Sequence, residues 1–597
     1  MTTTTDTSDA TRVSMLTEIQ SPAQIKAMSV MELEQLAQEI RNFMLDTVSQ
    51  TGGHIGANLG TVELGIALHA VFDSPAEPII WDTGHQGYTH KILTGRAALF
   101  PTLNTYGGMN RFVTRTESEH DIVEASHAGT SLSIATGMAL ARRIQGDPRR
   151  TVAVIGDSAL AEGMALEALN HIAVEDLALT LVINDNGYAI SPGFGGLHEA
   201  LQDGAKARQL FESWGLRYHG PVDGHDVGAL LEAFRAARGE GGVNVVHVKT
   251  VKGKGWKPAD DHPLRMHFSF PFDKHTGQPL ASPPGPAYQD VAAAVVLDEM
   301  TRDERIVCIT PSTLYATGLT PAFEKFPQRC FDPGMEEQHA LTMSVGLALE
   351  GMKPVVAYQS TFLQRAFDQM FHDVCFMSRP ILMLGMRSGF AGYDNPTHHG
   401  IYDYPYLRGM PNLRILYPKD RHETERMVRD ELRNLTGPVL ILMPYGPVDD
   451  IDPSVLDETA ISFAQPQLVQ AGKDLLVVAV GHKFAAARDA VQRLRAAGID
   501  AGLVNLRYLK PLPADALAVL LNEVPRVVSV EEYVSDGGVG GAIAELITDR
   551  ELACRLLRLS VPTTFVEPGS NAELEKRYRL DADGIVIRIR ERWGDLL

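Results

Sequence analysis

An alternation of short apolar segments with helical segments runs through nearly the whole chain, and it constrains the fold more than any other feature. Apolar segments such as "PIIWD", "TVAVI", "LALTLVI" and "NVVHVKT" are separated by stretches of helical periodicity such as "SLSIATGMALARR". Strands that alternate with helices predict parallel sheets covered by helices on both faces. Ligands of such sheets bind at the carboxyl ends of the strands, so functional residues are expected in the loops that follow these segments.

Two stretches that lack this alternation divide the chain into successive parts. The first, "HTGQPLASPPGPAYQ" at 275–289, is rich in Pro and Gly, and a weaker one, "PVDDIDPSVLDETAISF", covers 447–463. We therefore predict an α/β fold of three successive domains, each with a mostly parallel sheet flanked by helices. The predicted segments are a disordered tail at 1–28 and three domains at 29–285, 286–455 and 456–597.

Composition limits the classes of partner and the compartment. The chain of 597 residues carries 54 basic against 74 acidic residues, a net charge of −20, which argues against nucleic acid and anionic membranes as main partners. Four cysteines without a CxxC pair indicate reduced thiols rather than disulfides or a zinc site. The sequence shows no secretory signal pattern and no apolar run long enough to span a bilayer, so a cytoplasmic protein is expected.

Two neighbouring strand ends carry side chains that can bind a metal. Asp157 follows the segment "TVAVI", and Asn186 closes the "NDN" that ends the segment "LALTLVI". Mg²⁺ prefers oxygen ligands and readily shares them with phosphate, and a helix expected to begin near Ser158 would direct its N–H groups to the same place. The stretch is therefore compatible with a diphosphate held by Mg²⁺. It is equally compatible with an Asp that caps a helix and an Asn in a loop.

The wider pattern resembles a known family. "GDSALAEGMALEALN…NDN" is similar to the signature of thiamine diphosphate (ThDP) enzymes. From about Gly52 onward, "GGHIGANLG", "IIWDTGHQGYTHKILTGR", "ESEHD", "SHAGTSLSIATGMA", "KGKGW", "EEQHALT", "STFLQRAFDQ" and "THHGIYDYPYLR" follow in order the pattern of the 1-deoxyxylulose-5-phosphate synthases of the transketolase superfamily. The resemblance implies a transketolase-like fold, ThDP and Mg²⁺ as cofactors between the first and second domains, and a homodimer. It also implies decarboxylation of pyruvate and transfer of its two-carbon unit to an aldehyde.

The resemblance assigns the metal and diphosphate residues by position. Asp157 and Asn186 match the family's metal ligands, and the carbonyl of Tyr188 would be the third. Gly156 and Ser158 flank Asp157 in the cofactor motif, where Ser158 replaces a Gly that is usual in the family. A small residue should fit at this position.

The resemblance also assigns the residues that activate the cofactor. Glu337 matches a glutamate that hydrogen-bonds N1′ of the aminopyrimidine, whereas its neighbour Glu336 is expected to be a solvated helix acid. Phe362 would stack on the pyrimidine, and Arg365 and Asp368 would order the adjoining network. Because a cofactor carries the difficult chemistry, the protein's task here is to tune its electronics.

Five histidines and one lysine complete the implied site. A single His is more often a surface or core residue than a catalyst, but here five histidines all match motif positions of the family. A His with a pKa near neutral pH can donate and accept protons. The resemblance implies substrate handling by His54, His267 and His398, cofactor contacts by His85 and His127, and diphosphate neutralisation by Lys252.

Several departures from the family pattern concern the aldehyde. Arg387 and Asp394 match residues of the acceptor pocket. The family has a Tyr where this chain has Gln359, and an Arg that grips the phosphate of glyceraldehyde 3-phosphate where this chain has Tyr445. Ala57 stands at a position that is commonly Ser, and the stretch at 191–219 is markedly shorter than in the family. The expected acceptor is therefore glyceraldehyde 3-phosphate or a different aldehyde.

Other functions remain open at this point. A transketolase would move a ketol unit between sugar phosphates without decarboxylation, and a 2-oxo acid dehydrogenase component would pass an acyl group to lipoamide. A ThDP-binding paralogue without turnover is a further alternative, although Glu337 and the histidines argue against it. A nucleotide-binding Rossmann protein is disfavoured because no GxGxxG opens the first strand–helix turn. The product could serve isoprenoid, thiamine or specialised metabolite biosynthesis.

Overall fold

The computed structural model describes residues 15–124, 126–282, 285–449 and 465–594. They form two compact units, one ending at Ser282 and the other comprising the rest of the chain. The first unit contains one five-stranded sheet, and the second contains a seven-stranded and a five-stranded sheet. The predicted fold class, three successive sheets that are mostly parallel and flanked by helices, is confirmed. None of the helices in these ranges is long and apolar enough to cross a membrane.

The first unit is built on a parallel sheet with the strand order β1–β2–β3–β5–β4. Its inner strands are apolar on both faces, as strands covered by helices on both sides must be. The strands are β1 (Ile79–Trp81), β2 (Thr151–Gly156), β3 (Leu179–Asp185), β4 (Arg217–Asp223) and β5 (Val243–Lys249).

Helices cover both faces of this sheet. The first long helix begins after Ser29, whose side chain and that of Glu32 form a reciprocal capping box. The helices are α1 (Met15–Glu18), α2 (Val30–Thr51), α3 (Ile55–Gly60), α4 (Val62–Val71), α5 (Tyr88–Lys91), α6 (Ser131–Gln145), α7 (Gly163–Ile172), α8 (Gly196–Gln202), α9 (Gly204–Ser213), α10 (Val227–Gly239) and α11 (Lys257–Asp261). Shorter turns are 3₁₀ at Pro22–Ile25, Phe100–Thr102 and Ala159–Ala161, and π-helical at Ile92–Arg96.

The segment at 1–28 was predicted to be a disordered tail, but from residue 15 onward it is folded. The part of that segment before residue 15 lies outside the described residues. The helical turns Met15–Glu18 and Pro22–Ile25 belong to the first unit, and Leu16, Ile19 and Ile25 are buried in its core. Burial of these apolar side chains offsets the conformational entropy that ordering the segment costs.

A row of three polar side chains runs through the interior of the first unit. His69 Nε2 lies 2.9 Å from His90 Nδ1, and His90 Nε2 lies 2.8 Å from Asp121 Oδ1. All three side chains are buried. Burial lowers the pKa of His69 well below 6.5, and it also lowers the pKa of His90 against the opposing effect of Asp121. Both histidines are therefore neutral in the folded protein near neutral pH.

We expect the free energy of unfolding to fall as the pH falls below about 6.5, because a histidine of the unfolded chain then takes up a proton that buried His69 does not. One such histidine lowers stability by about 2 kcal/mol between about pH 7 and pH 5. Urea unfolding at a series of pH values measures the loss. His69→Gln, which keeps a hydrogen-bonding side chain, should show a smaller loss, and an equal loss in both proteins would contradict this assignment.

The second unit contains two sheets. The seven-stranded sheet has the order β15–β10–β11–β9–β8–β6–β7, and the five-stranded sheet has the order β12–β14–β13–β16–β17. The strands are β6 (Ile306–Ile309), β7 (Cys330–Phe331), β8 (Lys353–Gln359), β9 (Leu382–Ser388), β10 (Arg414–Leu416), β11 (Val439–Pro444), β12 (Gln467–Gln470), β13 (Leu475–Val480), β14 (Ala501–Leu506), β15 (Tyr508–Lys510), β16 (Arg526–Val534) and β17 (Arg555–Val561). Each sheet carries one antiparallel edge strand, β15 and β12 respectively.

The two sheets of this unit are joined by the exchange of one strand. β15 follows β14 directly in the sequence but pairs with β10 of the seven-stranded sheet. The predicted boundary at 447–463 falls largely outside the described residues. The helices are α12 (Tyr288–Met300), α13 (Thr320–Lys325), α14 (Glu337–Leu349), α15 (Ser360–Leu363), α16 (Phe367–Gln369), α17 (Asp403–Leu407), α18 (Arg421–Arg433), α19 (Lys483–Ala496), α20 (Ala514–Asn522), α21 (Val539–Asp549), α22 (Asn571–Tyr578) and α23 (Ala582–Arg592), with 3₁₀ turns at Pro327–Arg329 and Gln364–Ala366 and a π-helical turn at Met370–Phe376.

Candidate active site

Asp157 directly follows strand β2, and Asn186 directly follows the neighbouring parallel strand β3. β2 and β3 pair with Gly156 opposite Asn184, and the N–H of Asp157 donates to the carbonyl of Asn184 at 3.2 Å. Because the carboxyl ends of parallel strands meet at one edge of the sheet, the two side chains share that edge. Their role as metal ligands stays a prediction.

The Asp157 carboxylate is buried without hydrogen bonds. The residue is 4% exposed, and neither carboxylate oxygen has a hydrogen-bond partner among the described residues. Burial raises the pKa of this carboxyl. The Asn186 amide oxygen accepts the N–H of Tyr188 at 2.9 Å, which leaves it one lone pair. A buried carboxylate without a hydrogen bond is costly, so the arrangement suits a cation that would bind both oxygens.

The helix that follows Asp157 begins later than the sequence predicted. Ala159–Ala161 form a single 3₁₀ turn, and α7 starts only at Gly163. Between them Glu162 adopts an extended conformation, and its buried side chain packs against the loop at Gly129. The prediction of a helix that starts near Ser158 was therefore wrong beyond one 3₁₀ turn, because the backbone at Glu162 is not helical.

The other residues of the "NDN" turn serve the structure rather than the site. The side chain of Asn184 donates to Gln86 Oε1 at 2.7 Å, and His247 Nε2 lies 2.8 Å from Asp185 Oδ2. Both Asn184 and Asp185 are buried. These contacts hold the end of β3 against its neighbours, which fixes the position of Asn186 that follows it.

Three of the predicted histidines meet in the first unit. The ring centroids of His54, His85 and His267 are 5.2–5.4 Å apart. Burial, together with a smaller effect of the Lys252 ammonium, lowers the pKa of His85 to about 3 and that of His267 well below 6.5. These two imidazoles are therefore neutral at pH 7, where each can donate and accept one hydrogen bond.

Lys252 lies beside this group. Its Nζ lies 3.0 Å from His267 Nδ1 and donates to the carbonyl of Ala189 at 2.7 Å, in the turn after Asn186. Burial lowers the pKa of Lys252 to about 7, although the Asp157 carboxylate acts in the opposite direction. An anion bound here would favour the charged ammonium, which suits the predicted contact with a diphosphate.

Asn58 positions two of these histidines, and sequence reasoning missed it. Its Nδ2 donates to the carbonyls of His54 at 2.8 Å and His85 at 2.7 Å, and its Oδ1 accepts the N–H of Tyr88 at 2.8 Å. The Tyr88 hydroxyl in turn accepts the N–H of His54 at 3.0 Å. The position of Asn58 inside the "GANLG" motif was the one feature of the sequence that could have pointed to this role.

Asp82 is a second missed residue and lies directly after β1. Its carboxylate accepts the N–H groups of Gly129 at 2.9 Å and Ser131 at 3.0 Å. These contacts anchor the loop that carries half-buried His127 to the same edge of the sheet. Asp157 was singled out because it follows a parallel strand, and the same reasoning would have pointed to Asp82.

The shortened stretch at 191–219 folds into α8 and α9 and leads into β4. From α8, His198 Nδ1 lies 3.8 Å from Asp157 Oδ2. Gly193 permits this approach, since a Cβ there would lie 2.4 Å from His198 Nδ1. Gln202 at the end of α8 donates to Asp185 Oδ1 at 3.2 Å. No pattern in the sequence marked His198 as a neighbour of the predicted metal ligand.

In the second unit Glu337 is the first residue of α14, and it is 5% exposed. Arg365 Nη1 lies 3.5 Å from its Oε2, and the Tyr358 hydroxyl donates to its backbone carbonyl at 3.1 Å. Burial raises the pKa of the Glu337 carboxyl, with Arg365 opposing. A carboxyl with a raised pKa can hold and release a proton near neutral pH. Asp368, expected in the same network, is exposed.

Phe362 and His398 come together in the same unit. Their ring centroids lie 5.4 Å apart with the rings at 89°. The Thr361 hydroxyl donates to the carbonyl of Thr397 at 2.7 Å, which ties the "STFLQR" segment to the "THHG" loop. His398 is 6% exposed, and its N–H donates to the carbonyl of Asn395 at 2.8 Å.

The residues assigned to the acceptor lie at the carboxyl ends of three adjacent strands. Gln359 ends β8, Arg387 lies near the end of β9 and Tyr445 follows β11, in a sheet where β9 lies between β8 and β11. Arg387 Nη1 donates to Asp394 Oδ2 at 3.1 Å, and its guanidinium carbon lies 4.8 Å from the centre of the Tyr445 ring. The structure thus groups four side chains that the sequence singled out. Ala57 lies in α3 of the first unit.

Comparisons with known proteins cover nearly the whole chain. Residues 16–209 and 203–250 match the family model described as 1-deoxy-D-xylulose-5-phosphate synthase. Residues 285–448 match the pyrimidine binding domain of transketolase, and residues 465–585 match the C-terminal domain of transketolase.

Two relatives with nearly full-length matches agree with these family models. The chain is 39% identical to 1-deoxy-D-xylulose-5-phosphate synthase of Heliobacterium modesticaldum, over 97% of this chain and 95% of that protein. It is 40% identical to the protein of the same name from Shouchella clausii, over 96% of this chain and 97% of that protein. A solved structure of transketolase from Leishmania mexicana is 17% identical, with a TM-score of 0.45, and the match covers 94% of this chain and 97% of that chain.

Proposed function

This chain belongs to the 1-deoxy-D-xylulose-5-phosphate synthase family, and we propose that it is a ThDP-dependent transferase that decarboxylates pyruvate and passes the two-carbon unit to an aldehyde. Glu337 is the observation that carries this proposal. Its carboxyl is buried at the start of α14, its pKa is raised by burial, and Arg365 Nη1 lies 3.5 Å from it. A non-catalytic paralogue would have no use for so costly a buried acid.

The residues of the first unit suit ThDP with a divalent metal, for which we propose Mg²⁺. Both Asp157 oxygens are buried without hydrogen bonds among the described residues, and Asn186 lies at the same sheet edge. Next to them, a Cβ placed on Gly156 would meet no atom within 4 Å, so the backbone there leaves room for a ligand. Oxygen ligands of this kind suit a hard cation. When bound, ThDP supplies the electron sink that lets a 2-oxo acid lose CO₂.

We propose the following roles for the chain's own side chains. Asp157, Asn186 and the carbonyl of Tyr188 hold the metal, and Lys252 binds the diphosphate. Gly156, Ser158, His85 and His127 contact the cofactor, Phe362 and Arg365 support its pyrimidine, and Glu337 holds a proton at N1′. His54, His267 and His398 move protons to and from the substrates, and Gln359, Arg387, Asp394 and Tyr445 contact the aldehyde.

The test is release of CO₂ from carboxyl-labelled pyruvate by the purified chain with ThDP and MgCl₂, with and without an aldehyde. We expect CO₂ and a ketose or acyloin two carbons longer than the aldehyde. Replacing pyruvate by a ketose phosphate provides the comparison, since a transketolase would use that donor without CO₂ release. Bound ThDP with no turnover of either donor would make the chain a non-catalytic paralogue.

We also propose a homodimer, which the family resemblance implies, and a cytoplasmic location, which the unpaired cysteines and the sequence pattern favour. Exposed apolar side chains in both units, among them Ile144, Val174 and Phe376, are compatible with an interface between copies. Light scattering after size-exclusion chromatography measures the mass in solution. A mass of 65.1 kDa at micromolar concentration would show a monomer instead.

A further inference from the structure

On the basis of the proposed function, we propose that the aldehyde accepted by this chain carries no phosphate group. The inference concerns Arg387, Asp394 and Tyr445, which we call the Arg387 cluster.

The charge of Arg387 is already compensated within the cluster. Its Nη1 donates to Asp394 Oδ2 at 3.1 Å. The side chain of Asp394 is only 10% exposed and that of Arg387 is 25% exposed, so water screens the pair weakly. The pair has a net charge of zero. A phosphate dianion that reached Arg387 would approach the Asp394 carboxylate as well, and the repulsion would offset the attraction.

The face of the guanidinium is also covered. Its central carbon lies 4.8 Å from the centre of the Tyr445 ring, within the range of a cation–π contact. Two bonds from a planar guanidinium to one phosphate require a free edge of the group. Asp394 takes one N–H donor of Arg387 and the Tyr445 ring covers one face, so a phosphate that bound the remaining donors would lie close to the Asp394 carboxylate.

Tyr445 is held in this position by its surroundings. The Asn571 side chain donates to the backbone carbonyl of Tyr445 at 2.9 Å. Gly392 provides the space for the ring, because a Cβ there would lie 2.9 Å from a ring carbon of Tyr445. The contact between ring and guanidinium is therefore built into the fold.

The same groups suit an uncharged aldehyde. The Tyr445 ring offers an apolar surface, and its hydroxyl and the Gln359 amide are neutral hydrogen-bonding groups. Gln359 ends the strand next to Arg387 and is 8% exposed. Neutral donors and acceptors recognise hydroxyl groups without the need to compensate a charge. The chemical class expected is a hydroxyaldehyde or another aldehyde without phosphate.

The test compares D-glyceraldehyde with D-glyceraldehyde 3-phosphate, which differ in the phosphate alone. With pyruvate, ThDP and MgCl₂, we expect kcat/KM of the unmodified chain to be higher for D-glyceraldehyde. In Tyr445→Arg, kcat/KM for the phosphorylated acceptor should rise about 10- to 100-fold, the effect of one charged hydrogen bond. A wild-type preference for glyceraldehyde 3-phosphate would overturn the inference and leave the proposed function intact.

A binding measurement separates this inference from the proposed function. Glycerol 3-phosphate is titrated calorimetrically into the chain already saturated with ThDP and MgCl₂, so that the diphosphate site is filled. We expect no binding at millimolar concentration by the wild type or by the matched control Tyr445→Phe, and binding by Tyr445→Arg. Binding by the wild type would overturn the inference. Absence of pyruvate turnover with any aldehyde would overturn the proposed function. The titration would still show whether the wild-type chain binds a phosphate group.

Discussion

Glu337→Gln is expected to lower the rate of CO₂ release from pyruvate by about 10³-fold or more, within the range known for loss of a group that transfers a proton. The amide has the shape of the carboxyl but cannot hold and release a proton. The fold should survive, because burial already raises the pKa of Glu337 and the substitution removes the cost of burying a charge. Steady-state CO₂ release and thermal unfolding of the same preparation measure the two effects.

Glu336→Gln is the matched control for this variant. Glu336 directly precedes Glu337 and undergoes the same chemical change, but it is only half-buried and lies outside α14. We expect its rate to stay within about 3-fold of the wild type, as for a side chain that takes no part in proton transfer. If Glu337→Gln kept a tenth of the activity, or if both variants lost it equally, the role proposed for Glu337 would be wrong.

Asp157→Asn is expected to have opposite effects on the free and the loaded protein. Without cofactor, the variant should be more stable than the wild type by about 1 kcal/mol, because it removes a buried carboxylate to which the described residues donate no hydrogen bond. With ThDP and MgCl₂ the order should reverse. The wild type gains stability by binding, and the variant should bind the pair at least about 100-fold more weakly, since it loses an anionic metal ligand.

Thermal unfolding with and without ThDP and MgCl₂, together with a titration of intrinsic fluorescence, measures both parts of this prediction. Asp185→Asn provides the comparison, since Asp185 lies at the end of the neighbouring strand β3 and is paired with His247 and Lys249. Breaking such a buried pair should cost about 3–5 kcal/mol in the free protein. Equal stabilisation of Asp157→Asn and wild type by ThDP and MgCl₂ would exclude Asp157 as a metal ligand.

The sheet edges show what sequence patterns can predict about a site. Asp157 and Asn186 could be placed together because each follows an apolar strand, and neighbouring parallel strands end at the same edge. The same rule applies to Gln359, Arg387 and Tyr445 of the second unit. Resemblance to the family, rather than periodicity, pointed to Glu337 and the histidines, since a single His or Glu carries no periodic signal.

Contacts between distant parts of the chain account for what the sequence did not predict. His198 lies beside Asp157 because Gln202 ties α8 to Asp185 and Gly193 leaves room for the imidazole. β15 pairs with β10 instead of joining the sheet of its sequence neighbours. Neither arrangement has a local cause, so no window of neighbouring residues could reveal it.

The amino-acid sequence by itself therefore determined the three α/β parts, the parallel sheets and the edges at which polar side chains gather, because strand and helix periodicity are local properties of the chain. The tertiary structure alone decided how those side chains are used. It buried the Asp157 carboxylate where none of the described residues donates a hydrogen bond to it, and it placed Tyr445 on the Arg387 guanidinium that Asp394 already neutralises. Burial and pairing of charge depend on residues far apart in the sequence, and they exist only once the strands have assembled.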